Sequence, residues 1–287
     1  MVVLVTGANG QLGQSIQFIA NKYPNIQFVY TDFQEMDITN IKNCQAVFAK
    51  HQPHFCINTA AYTAVDKAES ESDKAHLINA VGPENLAKVC KEFDTILVHI
   101  STDFIFDGTS KVPYLETDVP NPKSIYGQTK LDGEIAIQKN WEKHFIVRTS
   151  WVYSQFANNF MKTMLRLASE LDNLSVVNDQ IGTPTNAVDL AEVLLKIITS
   201  CQTESHEVFG IYNFSNEGVC SWYDFAAAIF HQKGIEIDLK PIPTDSYPTP
   251  AKRPAYSVLD KTKIKKVFAI EIKDWKESLT VSLNHLN

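Results

Sequence analysis

The opening stretch constrains the fold more than any other part of the chain. Val2-Val-Leu-Val5 is a short run rich in β-branched residues, the composition of a strand buried on both faces. Thr6-Gly7-Ala8-Asn9-Gly10-Gln11-Leu12-Gly13 follows, with glycines three and three residues apart, and Gln14 to Lys22 then reads as a helix. A strand that feeds a glycine turn and a helix is the first unit of a parallel α/β sheet. In such a sheet this turn is where a dinucleotide binds. Gly7 can take the positive φ that the turn needs. At Gly10 the missing Cβ lets the backbone approach a pyrophosphate, and Gly13 lets the helix pack close to the strand. The helix N-terminus adds N–H donors and a partial positive charge.

The next stretches continue the alternation. Ile26 to Tyr30, Phe55 to Asn58, Ile96 to Ile100 and Phe145 to Arg148 read as strands, and Ile41 to His51, Lys74 to Phe93 and Lys130 to Asn140 as helices. That order predicts a doubly wound α/β fold with helices on both faces of a parallel sheet. The texture changes after about residue 150. Helices are expected over Asn159 to Glu170, Asn186 to Ile198 and Trp222 to Gln232, the last begun by Ser221 as N-cap, and a strand over Ile211 to Phe214. Residues 241–254 hold five of the 12 prolines and predict an extended loop. The expected division is a dinucleotide-binding domain over 1–150, completed by about 186–210, and a smaller substrate-binding domain over 151–185 and 211–287.

Composition narrows the partners. With 287 residues, 44% of them hydrophobic and 21% charged, the chain has the make-up of a globular protein. A net charge of −7 argues against a nucleic-acid or anionic-membrane binder. No run of 18 apolar residues and no basic, apolar leader is visible, so a cytoplasmic protein is expected. The five cysteines contain no CxxC pair, and free thiols are the reading.

Chemistry concentrates in three places. Asp32 lies 19 residues after Gly13, just past the second expected strand, where a carboxylate can accept hydrogen bonds from an adenosine ribose and repel a 2′-phosphate. Asp37-Ile38 follows and could meet the adenine edge, or Asp37 could serve the start of the next helix. Tyr126-Gly-Gln-Thr-Lys130 puts a phenol and an ammonium at i and i+4, on one helix face. Lys130 beside Tyr126 should favour the phenolate and draw its pKa down toward the working pH. Thr102, in Ser101-Thr-Asp103 at the C-terminal end of a strand, could hold a substrate oxygen beside Tyr126. His99 in the same strand reads as a satisfied buried histidine.

These residues resemble the extended short-chain dehydrogenase/reductase superfamily, and the match goes further. Asn58-Thr-Ala-Ala-Tyr-Thr-Ala-Val-Asp-Lys-Ala-Glu69, Ser101-Thr-Asp-Phe-Ile-Phe-Asp-Gly108, Tyr114-x-Glu116, Arg148-Thr-Ser-Trp-Val-Tyr153, Asn158-Asn-Phe160, Asp179-Gln-x-Gly-x-Pro184-Thr and Pro248-Thr-Pro-Ala-x-Arg253-Pro look like the motifs of dTDP-4-dehydrorhamnose reductases. The resemblance implies a Rossmann domain with a smaller C-terminal α/β substrate domain. It implies NADPH- or NADH-dependent reduction of the C4 ketone of dTDP-4-dehydro-β-L-rhamnose. Thr102, Tyr126 and Lys130 match the family's catalytic triad, and Gly10, Gln11 and Leu12 its pyrophosphate loop. Asp32, Asp37 and Ile38 match its adenosine contacts, and Ala60, Ala61 and Tyr62 the strand end along the cofactor. Thr102, Asp103 and Trp151 match substrate contacts, with Thr63, Val65 and Asp66 as neighbours. Arg253 is the expected partner of the dTDP pyrophosphate, because a guanidinium binds phosphate bidentately; the other reading is a surface salt bridge.

Two departures from the family pattern stand out. Glutamates that look metal-linking in some members are replaced here by Ser15 and Val188, neither of which offers magnesium a carboxylate. The expectation is no metal, and a monomer or weak homodimer. Phe104 stands where some members carry tyrosine. The alternatives are a reductase of another dTDP-4-ketosugar and a non-catalytic regulatory subunit of the methionine adenosyltransferase type. An intact Thr102/Tyr126/Lys130 set favours the enzyme.

Overall fold

The computed structural model describes residues 1–201 and 208–286. Strands β1 (Val2–Thr6), β2 (Gln27–Tyr30), β3 (Phe55–Asn58), β4 (Ile96–Thr102) and β5 (His144–Thr149), with a last strand at Gly210–Asn213, form one six-stranded sheet. Its order is Gly210–Asn213, β5, β4, β3, β1, β2, and every pairing is parallel. The order reverses between β1 and β3, which opens a crevice at the carboxyl ends of these strands.

Side-chain alternation builds the two layers. Val3, Val5, Phe55, Ile57, Val98, Phe145 and Val147 point to one face, against Leu12 and Ile16 of helix Gln11–Ile19 and Leu190, Leu194 and Ile197 of helix Ala187–Ser200. Leu4, Cys56, Leu97 and Ile146 point to the other face, against Phe48, Leu86, Val89 and Ile137. Each fully buried side chain of this size contributes about 1.5–3 kcal/mol relative to exposure. The chain is thus apolar on both faces of the sheet, as the early runs required. A separate cluster joins Tyr153, Met161, Leu174, Phe225, Trp275 and Leu279. It sits among helices Phe160–Glu170, Trp222–Lys233 and Trp275–Asn284 and a parallel pair, Asn173–Val177 with Asp238–Ile242.

Several expected elements shift. The first helix starts earlier, at Gln11, and ends in a 3-10 turn over Ala20–Lys22. The expected helix Lys74 to Phe93 is interrupted by a π-helical turn at Leu77–Val81, between Ser72–His76 and Gly82–Glu92. Pro241 lies inside a strand, not a loop; its strand pairs on one side only, so no sheet acceptor loses a donor. Strand Gly210–Asn213 straddles the boundary expected at 210/211, and positions 202–207 of that expected segment lie outside the described residues.

Candidate active site

The glycine turn is shaped for close approach. Gly7 has φ +61°, and a Cβ there would lie 2.7 Å from the Ala60 backbone. Gly10 is exposed, and a Cβ there would meet only the Gly7 carbonyl, at 3.2 Å. Gly13 is buried where a Cβ would strike Ala8 at 2.6 Å. Helix Gln11–Ile19 starts with no side-chain cap and no acidic residue in its first turn, which leaves its N–H donors to a ligand. A pyrophosphate fits this cradle. Leu12 is buried in the sheet's core, and the Gln11 side chain reaches the segment after β5. Its Oε1 accepts from Ser154 Oγ at 3.1 Å and Asn159 Nδ2 at 3.0 Å, tying the turn to the segment after β5.

Asp32, half-buried after β2, accepts the Asn9 N–H at 2.9 Å on Oδ2 and the Phe33 N–H at 2.7 Å on Oδ1. Glu35 accepts the Asp32 N–H at 2.9 Å, so two carboxylates stand together here. Asp37 turns its carboxylate onto Thr39 N and Oγ1, at 2.9 and 2.7 Å, while Asn40 caps the following helix. Ile38 is buried.

Ala60, Ala61 and Tyr62 leave the end of β3 beside Gly7. Asn79 holds this segment: its Oδ1 accepts from Tyr62 N at 2.8 Å, and its Nδ2 donates to Tyr62 O at 3.1 Å and Thr129 Oγ1 at 3.2 Å. Asn79 lies in the π-helical turn, and nothing local in the sequence marked it. The Tyr62 phenol donates to Glu71 at 3.0 Å.

Thr102 ends β4, and Tyr126 lies in the first turn of helix Ile125–Asn140, which Ser124 caps by accepting from Gly127 N. The fold therefore brings Thr102, Asp103 and Tyr126 together. Thr102 Oγ1 donates to Asp103 Oδ1 at 3.0 Å and accepts from Phe104 N at 3.2 Å. Asp103 is 2% exposed. Its Oδ2 makes no well-formed hydrogen bond, although Ser257 lies close enough to stabilise the carboxylate in part. Burial pushes this carboxyl up to about 6. The Phe104 ring packs edge-on against Tyr126, with centroids 5.5 Å apart.

The Tyr126 phenol moves opposite to the sequence expectation. Burial, with Asp103 adding to it, pushes it up to about 12, and its contact with Thr102 only partly opposes the rise. Lys130 does not pull it down, because Nζ donates to the Ile100 carbonyl at 2.6 Å and lies 3.3 Å from His99 Nε2. Burial lowers the Lys130 ammonium to about 8, with Glu134 opposing.

Trp151 sits just past β5 at φ +48°, a costly backbone for a large side chain. Its ring stacks on Trp222 at 3.7 Å and 12°, a partner absent from the sequence reading. Arg253 clamps Asp66 in a fork, Nη1 to Oδ1 at 3.0 Å and Nη2 to Oδ2 at 2.8 Å. The bond from Arg253 holds the Asp66 carboxyl below its usual range. This joins the proline-rich segment to helix Val65–Ala68, next to exposed Thr63 and half-buried Val65.

The comparisons with known proteins give the family. The RmlD substrate binding domain family model matches residues 1–287. The dTDP-4-dehydrorhamnose reductase of Aggregatibacter actinomycetemcomitans is 41% identical, over 96% of this chain and 96% of its own length. The chain belongs to the dTDP-4-dehydrorhamnose reductase family. A crystal structure of a family member from Clostridium acetobutylicum superposes with a TM-score of 0.94 at 45% identity, covering 100% of this chain and 99% of the other. The family member from Bacillus anthracis, solved in complex with NADP, gives 0.93 at 39%, covering 99% and 98%. The doubly wound fold expected from the opening stretch is that of the family. Ser15 is buried and donates to Gln11 O, and Val188 is half-buried. Among the described residues no cluster of three or more His, Cys, Asp or Glu could hold a metal, and no helix is long and apolar enough to cross a membrane.

Proposed function

We propose that this chain reduces the C4 ketone of dTDP-4-dehydro-β-L-rhamnose to dTDP-β-L-rhamnose, with Tyr126 as the proton donor. The observation that carries this reading is the Tyr126 phenol set near Thr102 and Asp103, at the sheet edge that also presents the glycine turn. The NADP complex of the Bacillus anthracis relative supports a nicotinamide dinucleotide along that turn. When bound, such a cofactor supplies hydride to the carbonyl carbon.

The chain's own residues supply the rest. Gly10 and the N–H groups of Gln11 and Leu12 hold the pyrophosphate, and Asp32 the adenosine ribose, with Asp37 and Ile38 beyond it. Ala60, Ala61 and Tyr62 line the cofactor from the end of β3. Tyr126 keeps its proton at neutral pH and releases it only as negative charge develops on the substrate oxygen. The Thr102 hydroxyl, given to Asp103 in the free protein, turns to the carbonyl oxygen as the alkoxide forms. Lys130, anchored on Ile100 O, is the residue for the nicotinamide ribose. Trp151 offers its ring to the sugar, Thr63, Val65 and Asp66 border it, and Arg253 binds the nucleotide pyrophosphate.

We read 1–150 with 186–210 as the dinucleotide-binding domain and 151–185 with 211–287 as the substrate-binding domain. We further propose a cytoplasmic monomer or weak homodimer that needs no metal. The test is loss of NADH absorbance on adding enzymatically prepared dTDP-4-dehydrorhamnose, with and without EDTA. Turnover that survives EDTA and collapses in Tyr126→Phe supports the reading. No turnover with NADH or NADPH, in protein that still binds cofactor, sinks it.

A further inference from the structure

A buried chain of polar groups runs behind the lysine, across three strands. Thr6 at the end of β1, Asn58 at the end of β3, His99 on β4 and Lys130 are each at most 2% exposed. Thr6 Oγ1 donates to Asn58 Oδ1 at 2.7 Å, and the Ala60 backbone N–H lies 3.2 Å from the same oxygen. A backbone N–H can only donate. The Asn58 amide is therefore fixed with its oxygen toward Ala60 and its NH2 toward His99 Nδ1, 3.0 Å away. Nδ1 must then accept, and a neutral imidazole that accepts on Nδ1 carries its proton on Nε2. That N–H points at Lys130 Nζ, 3.3 Å away. An ammonium has only donors to offer it, whereas a neutral amine has a lone pair.

We propose that His99 is a positioning residue for Lys130: locked by Asn58 in the Nε2–H tautomer, it presents a donor to Nζ and so disfavours the lysine's charge in the cofactor-free protein. The groups around the pair fit this. Burial, Lys130 and His144 on β5 all keep His99 neutral. Glu134, one turn along the helix from Lys130 and paired with Arg148, is the group favouring the ammonium. Tyr126, one turn before, is turned toward Thr102 and Asp103. Nζ already has one acceptor, the Ile100 carbonyl at 2.6 Å, and the ribose hydroxyls of a dinucleotide, as further acceptors, restore the charge that His99 opposes. This last step rests on the reading of Lys130 as the ribose-side group; the tautomer does not.

Two measurements test it on the full chain. Long-range proton–nitrogen correlation spectra of histidine-labelled, cofactor-free protein, with His99 assigned by substitution, report which ring nitrogen carries the proton. Protonation at Nε2 is expected; protonation at Nδ1 overturns the proposal. The second is the pH profile of kcat/KM for NADH, at saturating sugar substrate, in wild type and His99→Phe, which keeps the ring's bulk and removes the donor. The basic limb should move up by about one pH unit in the variant, since the donor that opposes the ammonium is gone. A limb that stays in place, with only the amplitude reduced, would mean that His99 merely fills space. A chain with no reductase turnover sinks the functional reading, while the spectra still decide the tautomer.

Discussion

Thr102 gives its hydroxyl hydrogen bond to Asp103 Oδ1 at 3.0 Å, and its oxygen accepts the Phe104 N–H at 3.2 Å. The carboxylate that accepts the hydroxyl has its pKa raised to about 6. Because the folded value lies above the ordinary 3.8, the native state binds more protons than the unfolded chain between those values. Stability therefore falls as pH rises through that window. Asp103→Asn removes the effect. Relative to that variant, wild type should lose roughly 2–3 kcal/mol of unfolding free energy between about pH 4 and pH 7. Urea denaturation of both proteins at the two pH values measures this. A gap that does not change with pH would mean that Asp103 is not desolvated.

The phenol of Tyr126 is pushed up to about 12, so it does not limit activity below that pH. The basic limb of the pH profile should instead report Lys130, lowered to about 8. Tyr126→Phe should lower kcat by about 10²–10⁴, the usual range for losing a general acid, with little change in cofactor affinity. A variant that keeps wild-type kcat would remove Tyr126 from the chemistry.

Asp32 and Glu35 place two carboxylates beside the turn after β2. A 2′-phosphate brought there meets like charge, so kcat/KM with NADH should exceed that with NADPH by about tenfold, equivalent to about 1.4 kcal/mol. Asp32→Ser should narrow the ratio. Equal use of both cofactors by wild type would show that the acidic pair lies away from the ribose.

How much was legible in the sequence follows from the range of the interactions. The glycine turn and the cap Ser221 obey local rules, and they stand where those rules put them. The π-helical turn escaped notice because Asn79 is held by Tyr62 and Thr129, far off in sequence. The i,i+4 spacing put Tyr126 and Lys130 on one helix face. It could not show that the Ile100 carbonyl on a neighbouring strand would draw Nζ away from the phenol. The stack of Trp151 on Trp222 is likewise set by tertiary packing.

Glu134 and Arg148 form a buried bidentate pair, 0% and 3% exposed, with Arg148 Nη1 also donating to Glu116 O at 3.1 Å. The pair ties helix Ile125–Asn140 to β5. Glu134→Gln strands a cation in the interior and should cost about 3–5 kcal/mol. Replacing both, as Glu134→Leu with Arg148→Met, should cost less than the sum of the single changes. Strict additivity in denaturant unfolding would show that the two side chains are not coupled.

Arg253 and Asp66 test whether a salt bridge is the end of the matter. Their side chains are 26% and 40% exposed, so the fork should add no more than about 1 kcal/mol to stability. Two Arg253 donors go to Asp66 and Nη1 also reaches Ala251 O, which leaves Nε and one Nη2 hydrogen for a phosphate. If Arg253 binds the nucleotide pyrophosphate, Arg253→Ala should raise KM for the dTDP-sugar by about 10- to 100-fold, the loss of a charge-assisted bidentate contact. The melting temperature should hardly move. Asp66→Ala, which releases the guanidinium without removing it, should raise KM far less. A purely structural pair predicts the opposite: equal and small KM changes in both variants, because each breaks the same bond.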